Sequence, residues 1–561
     1  MRFAGIFLVP WLLTAFSIAM FTLITPVQGA ETIYLLYNAL NLSVRVKSLE
    51  KFAKKGKIDK NLAFYLDIVG TTEEEKVLFR EALMTPVEVN PVLLYRFLRT
   101  DEGERLIDYF GDVINIQGGR NGKYPLRGSL VQAAFEPEGL SLINILKKLP
   151  VNMQIDLKKT LRLSQQIKVI INGTYLFSEA VAELSEIEAQ NAAPINFVQL
   201  TDIREPGPFK IEKPKRWTLQ HKKRNIQWKG QEFYVDVYRP QTQREGRTPV
   251  VIISHGLSSR PEDFAKRAEH LASYGYVVAL PQHLGSDVQH LQDLLEGYTR
   301  EIFDLDEFLN RPLDISQTLD ELERRNITEF GGNLNLENVG IFGHSFGGYT
   351  VLALAGATLD FKGLEKDCNI ELGKLNTALL LQCRALKLKR KNYNFRDERI
   401  QAVYAINPVN ASIFGEQGLS KIIIPTFIGA GNYDPATPFV FEQARSFPWL
   451  TTKNRYLLLQ EGQAHVDFSQ LDAGLTDMIK TLPNLTLPSS VLLDNYTNAT
   501  MLAFFEIYIV NNQDYKSYLQ SSYVNHISKK HNFSAHLISG NSTEGLIKFI
   551  KQFRLNNLDT N

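Results

Sequence analysis

The stretch "NVGIFGHSFGGYTVLALAG", residues 338–356, decides how this chain is read. An apolar run gives way to Gly343-His344-Ser345-Phe346-Gly347, and small and apolar residues at helical spacing come next. Gly-x-Ser-x-Gly between a strand and a helix puts a serine on a tight turn, and its glycines let neighbouring backbone approach without a Cβ clash. The pentapeptide alone fits a simple glycine-punctuated turn equally well. The strand pattern ahead and the helix pattern behind favour Ser345 as a nucleophile.

A serine hydroxyl is a poor nucleophile at neutral pH and needs a base, which in turn needs an orienting carboxylate. On a strand–turn–helix serine the acid and then the histidine are expected later in the chain, each in a loop after a strand. "IIIPTFIGAGNYDPATP" supplies Asp434 and "RYLLLQEGQAHVDF" supplies His465, each just past an apolar run. Asp467 stands too close to His465 to orient it, and His526, His531 and His536 lie beyond the last clear strand pattern. An acyl-transfer site also needs N–H donors for a tetrahedral oxyanion. The turn Ser254-His255-Gly256-Leu257 and the residue after the serine nominate the backbone N–H groups of Leu257 and Phe346, with His255 shaping the turn.

Outward from the serine, buried-strand patterns alternate with amphipathic helices. "PVVIISHG", "YVVALPQH", "NVGIFGHS", "IQAVYAINP", "IIIPTFIGAG" and "RYLLLQE" are short apolar runs, with helical stretches such as "PEDFAKRAEHLASYG" and "DISQTLDELERRN" between them. That alternation means βαβ units and a mostly parallel sheet. Residues 359–399 separate the serine helix from the next strand by far more than an ordinary connection. They carry the apolar stripe "LNTALLLQCRALKL" and read as a cap insertion over the Ser345 mouth. Cys368 and Cys383, the only cysteines, lie close to that stripe, and a disulfide between them would stiffen the cap. Two buried thiols are the alternative. The late stretch "NATMLAFFEIYIVNN" reads as a helix packing back on the sheet.

Upstream, residues 31–185 read as a smaller all-α domain. "SLEKFAKKG" stops at Gly56, and "TTEEEKVLFREAL" opens with Thr72 and Glu75 at capping-box spacing. Residues 186–220 are rich in Pro, Asn and Ala and read as a linker, leaving 221–561 for the α/β domain. Residues 1–30 combine a basic start, an apolar run and small residues near Ala30, the pattern of a secretory signal. Cleaved, it leaves a periplasmic or secreted protein; uncleaved, it is long enough to tether one to a membrane. A net charge of +1, with 44% apolar and 22% charged residues, excludes the strong field of a nucleic-acid binder. The ten histidines form no ligand-spaced cluster, so neither metal nor organic cofactor is expected.

"SHGLSSRPEDF", "LASYGYVVALPQHLGSD", "GHSFGGYT", "GNYDPATP" and "AHVDF" together resemble α/β-hydrolase enzymes of the platelet-activating-factor acetylhydrolase-like and dienelactone-hydrolase-like groups, over roughly residues 220–470. The whole chain resembles cyanobacterial predicted hydrolases with an N-terminal helical domain of unassigned function, which begins near "ETIYLLYNAL". The resemblance implies an α/β-hydrolase fold with Ser345, Asp434 and His465 as nucleophile, acid and base. It departs at Gln282-His283-Leu284-Gly285, where acetylhydrolase relatives carry a charged pair. The expected activity is serine-dependent cleavage of a lipid-like or short-chain carboxylic ester. The expected partner is that small molecule, with a membrane surface compatible and no nucleic acid. The rivals are a peptidase of the same fold and a non-catalytic binding or scaffold protein.

Overall fold

The computed structural model describes residues 29–37, 40–69, 71–87, 89–224, 229–370, 375–465 and 487–557. The signal pattern at 1–30 lies outside them, apart from Gly29 and Ala30. The chain divides into two compact units, one reaching Ser164 and the other starting at Gln165. The division falls within one continuous helix, Leu157–Asn191.

The smaller unit corrects the all-α expectation. Its strands β1 (Thr32–Tyr37), β2 (Leu40–Arg45), β3 (Ile114–Ile116) and β4 (Met153–Asp156) form a sheet in the order β2-β1-β4-β3. β1 and β4 run parallel, and the outer pairs are antiparallel. These strands have three to six residues, too few to show a period of two among the short helices described in that unit. The local helix signals hold. Thr72 accepts the Glu75 N–H and Glu75 reaches back to the Thr72 N–H, while Gly56 ends its helix at φ 65°.

In the larger unit, nine strands form one sheet: β5 (Lys215–Gln220), β6 (Glu232–Tyr238), β7 (Thr248–Ser254), β8 (Val277–Pro281), β9 (Leu334–His344), β10 (Ile400–Ile406), β11 (Thr426–Gly431), β12 (Arg455–Gln460) and β13 (Ala535–Ser539). Their order is β13-β12-β11-β10-β9-β7-β8-β6-β5. β8, β7, β9, β10, β11 and β12 are mutually parallel, and antiparallel pairs flank them at both ends. Their apolar runs follow from burial on both faces. Successive side chains point to opposite sides of a strand, so Ile252, Ile341, Val403, Ile428 and Leu457 enter one core while Val251, Phe342, Tyr404, Phe427 and Leu458 enter the other. The second core is closed by the helix Ser490–Tyr508 through Phe504 and Phe505, so the late apolar stretch does pack on the sheet.

Residues 359–399 form the helices Phe361–Asn369 and Ala378–Gln382 and the 3-10 turn Cys383–Lys387. A Cys368–Cys383 disulfide with a Cα–Cα distance of 6.0 Å ties them together. The Thr377 hydroxyl donates to the Pro435 carbonyl beside Asp434. Asn376 and Gln382 donate to the fully buried Glu442 carboxylate at 2.9 and 2.8 Å. Among the described residues no helix is long and apolar enough to cross a membrane.

Candidate active site

Parallel strands bring the residues at their carboxyl ends to one edge of a sheet, and that edge is where ligands bind in open α/β folds. Here β9 delivers Ser345, β11 delivers Asp434 and β12 delivers His465. Ser345 itself sits at φ 58°, ψ −117°, between the end of β9 and the helix Phe346–Leu354. A non-glycine residue there costs about 1–3 kcal/mol and persists only if its surroundings hold it. They do: its N–H donates to the Ile406 carbonyl at 3.0 Å, and its own carbonyl accepts from the N–H groups of Tyr349 and Val409, each at 3.2 Å. The flanking glycines are required by close approach. A Cβ on Gly343 would fall 2.2 Å from the Gly347 carbonyl oxygen, and one on Gly347 would fall 2.1 Å from that of Ser254.

The three residues meet. His465 Nε2 lies 2.7 Å from Ser345 Oγ, and His465 Nδ1 lies 2.7 Å from Asp434 Oδ2. With Asp434 ionised, Nδ1 carries the proton and Nε2 is left to accept from the serine hydroxyl. Asp434 is further anchored by the Ala436 and Thr437 N–H groups at 2.8 and 2.9 Å and by the Thr437 hydroxyl at 2.7 Å. Burial alone would raise its pKa, but electrostatic attraction to the His465 ring and the hydrogen bonds from His465 and Thr437 outweigh that and hold it below the usual carboxylate range. The Asp434 side chain is sealed from solvent while that of His465 remains 16% exposed.

The turn after β7 lies directly against the serine: a Cβ on Gly256 would be 3.4 Å from Ser345 Cβ. Leu257 is the next residue of that turn, and Phe346 opens the serine helix, whose first N–H groups have no intrahelical acceptor. His255 is buried, donates from Nδ1 to the Gly256 carbonyl at 2.8 Å and accepts the His283 N–H on Nε2 at 3.1 Å. With both ring nitrogens engaged, it shapes the turn.

Several participants have no conspicuous sequence signal. His344, the first variable residue of the pentapeptide, donates from Nε2 to the His465 carbonyl at 2.7 Å and so fixes the backbone of His465. Burial and the adjacent His465 drive its pKa down to about 3, which keeps it neutral. The only signal for Thr437 is its place three residues after Asp434. A second Ser–His–Asp chain also exists. Ser254 Oγ is 2.9 Å from His283 Nε2, and His283 Nδ1 is 2.9 Å from Asp314 Oδ2. All three are at most 1% exposed, so no substrate reaches them and the chain serves to brace the sheet. Among the described residues no group of three or more His, Cys, Asp or Glu side chains is arranged to hold a metal ion.

A mostly parallel sheet with antiparallel edges, a strained serine at a strand–helix elbow and a histidine and aspartate from later strands define an α/β hydrolase, and the chain belongs to the α/β-hydrolase superfamily. Two family models agree. The model described as an alpha/beta hydrolase of unknown function (DUF1400) matches residues 29–156, and the chlorophyllase model matches residues 225–368. The second match takes in the β7 turn and Ser345 and stops short of Asp434 and His465. No curated protein matches the chain at a significant level.

Proposed function

We propose that the protein is a serine hydrolase of carboxylic esters. His465 takes the Ser345 hydroxyl proton as Oγ attacks the acyl carbonyl, and the Leu257 and Phe346 N–H groups receive the oxyanion. His465 then passes the proton to the leaving alcohol, and water, activated by the same imidazole, releases the acid. Asp434 keeps the proton on Nδ1 and stabilises the imidazolium. The observation that carries this reading is the pair of 2.7 Å contacts running from Asp434 through His465 to a serine held in a strained turn.

A cavity of about 300 Å³ lies between the insertion (Ile370, Leu379), the segment after Asp434 (Val440, Phe441) and Phe177; Lys366, Asp367 and Arg445 share its lining with these apolar side chains, and Ser345, Asp434 and His465 are not part of it. The chlorophyllase match adds support for ester over amide cleavage. The disulfide also supports an oxidising, exported compartment, periplasmic or extracellular.

The test is a hydrolysis screen of purified protein. It covers p-nitrophenyl esters of increasing chain length, phospholipids, chlorophyll and peptide amides, with Ser345→Ala as control. Ester turnover that falls at least about 1,000-fold in the variant supports the reading. Equal rates in both proteins contradict it, and peptide turnover without ester turnover would favour a peptidase. No turnover at all would leave the binding or scaffold rival standing.

A further inference from the structure

Arg311 is among the largest side chains in the described protein that are wholly shut off from solvent. It projects from the helix Glu307–Phe330. A guanidinium is costly to bury unless its N–H groups find acceptors, usually a carboxylate. The hydrogen bonds of Arg311 go instead to neutral oxygens. Nε donates to Ser286 Oγ at 2.9 Å, Nη1 to the His255 carbonyl at 2.8 Å and Nη2 to the Gly256 carbonyl at 3.1 Å. Burial pulls its pKa down to about 10, which still leaves it protonated at neutral pH.

The two carbonyls belong to the turn that lies against Ser345. Among the described residues no peptide bond is cis, and in a planar trans peptide the C=O and the N–H point in opposite directions. Holding the Gly256 carbonyl from the inner side therefore aims the Leu257 N–H away from Arg311. His255 Nδ1 holds the same carbonyl at 2.8 Å, so that peptide cannot flip without losing two bonds at once. The guanidinium carbon also stands 4.6 Å from the centroid of the Phe346 ring, a cation–π contact with the residue that carries the other candidate donor. Ser286 in turn passes a hydrogen bond on to Glu307 at 2.9 Å, and Glu307 also meets Arg224 at 2.8 Å.

We propose that Arg311 is the positioning residue of the oxyanion site, fixing the Gly256–Leu257 peptide and the Phe346 position so that both N–H groups converge on the developing oxyanion. This rests on the reading of Ser345 as an esterase nucleophile. A positive charge on the carbonyl side of the peptide also polarises it and strengthens its N–H as a donor. Arg311 touches no reacting atom; its effect is transmitted through the turn.

The experiment compares Arg311→Gln, Arg311→Lys and Ser286→Ala with the wild type on p-nitrophenyl butyrate. Active sites are counted by titration with a fluorophosphonate, and affinity is measured for an alkyl trifluoromethyl ketone, which forms a tetrahedral adduct. For Arg311→Gln, kcat per titrated site should fall by about 100-fold with KM within about threefold, because the lost support acts only once the oxyanion forms. The ketone should weaken by the same factor as kcat/KM, and Arg311→Lys should lie between. Unchanged kcat per site and unchanged ketone affinity would overturn the proposal, even if the melting temperature dropped. If Arg311→Gln does not fold, Ser286→Ala decides: a several-fold fall in kcat at constant KM supports the proposal and an unchanged kcat refutes it. A wild type that neither labels nor turns over ester would instead sink the esterase reading itself, before any variant is compared.

Discussion

Mild acid should destabilise the larger unit at pH values above those at which ordinary exposed carboxylates titrate. His255, His270 and His283 are each at most 6% exposed. Burial lowers His270 to about 4 and His283 to about 3, and it takes His255 far below the ordinary value of 6.5. The geometry agrees, since His255 and His283 already have both ring nitrogens engaged. The unfolded chain binds protons at these positions as pH falls through about 6.5, and the folded protein does not, so their contribution is complete above that value and is lost below it. Each such proton is worth about 1.4 kcal/mol per pH unit, or about 4 for the three together. Glu307 acts the other way. Burial raises it to about 7, so the folded state holds a proton there that the unfolded chain lacks. The net is two protons, about 3 kcal/mol lost between about pH 6 and 5. Burial also raises Asp304 and Glu442, which oppose the loss, and lowers His344, which adds to it. Urea unfolding followed by tryptophan fluorescence at several pH values in that window measures it, since Trp217 and Trp449 lie in the larger unit. A midpoint that is flat, or that rises on acidification, would refute the assignment of buried neutral histidines.

Other consequences are as direct. Asp434→Asn should leave the fold intact and lower kcat by about 10,000-fold, because the amide stabilises the wrong imidazole tautomer; steady-state kinetics on a p-nitrophenyl ester will show it. Gly347→Ala forces a Cβ to within 2.1 Å of the Ser254 carbonyl, displacing the turn that faces Ser345, and esterase activity should fall by about 100-fold. Cys368→Ser opens a loop with a sequence separation of 15 and should cost about 3 kcal/mol, read as an equal loss in the wild type on reduction. Glu442→Ala strands four donors, from Asn376, Gln382, Asn410 and Ala411. Denaturant melts should record a loss of about 3 kcal/mol.

The parallel strands were legible because strands buried on both faces must be apolar throughout, as in Pro249–Ser254 and Ile400–Ile406. The edges were not. β5, "KRWTLQ", buries only Trp217 and Leu219 and sits in a stretch that reads as linker. β13 is five residues long and comes after several short helices. β1, "TIYLLY", is apolar enough to pass for part of a helix, and its partner β4 lies more than a hundred residues away. Ser345, Asp434 and His465 could be proposed from order and spacing, because each stands just past a readable strand. His344 and Arg311 could not, since their roles depend on backbone carbonyls brought near by the fold, and no local pattern records a carbonyl's direction.

The central claim is that Ser345 is an activated nucleophile, and covalent capture tests it most directly. The protein is incubated with an alkyl fluorophosphonate near neutral pH, digested and mapped by mass spectrometry. One stoichiometric adduct is expected, on the peptide containing Gly343-His344-Ser345-Phe346-Gly347, and it should form at least about 1,000-fold more slowly in His465→Ala. An unmodified Ser345 in folded protein, or labelling at an equal rate without His465, would contradict it.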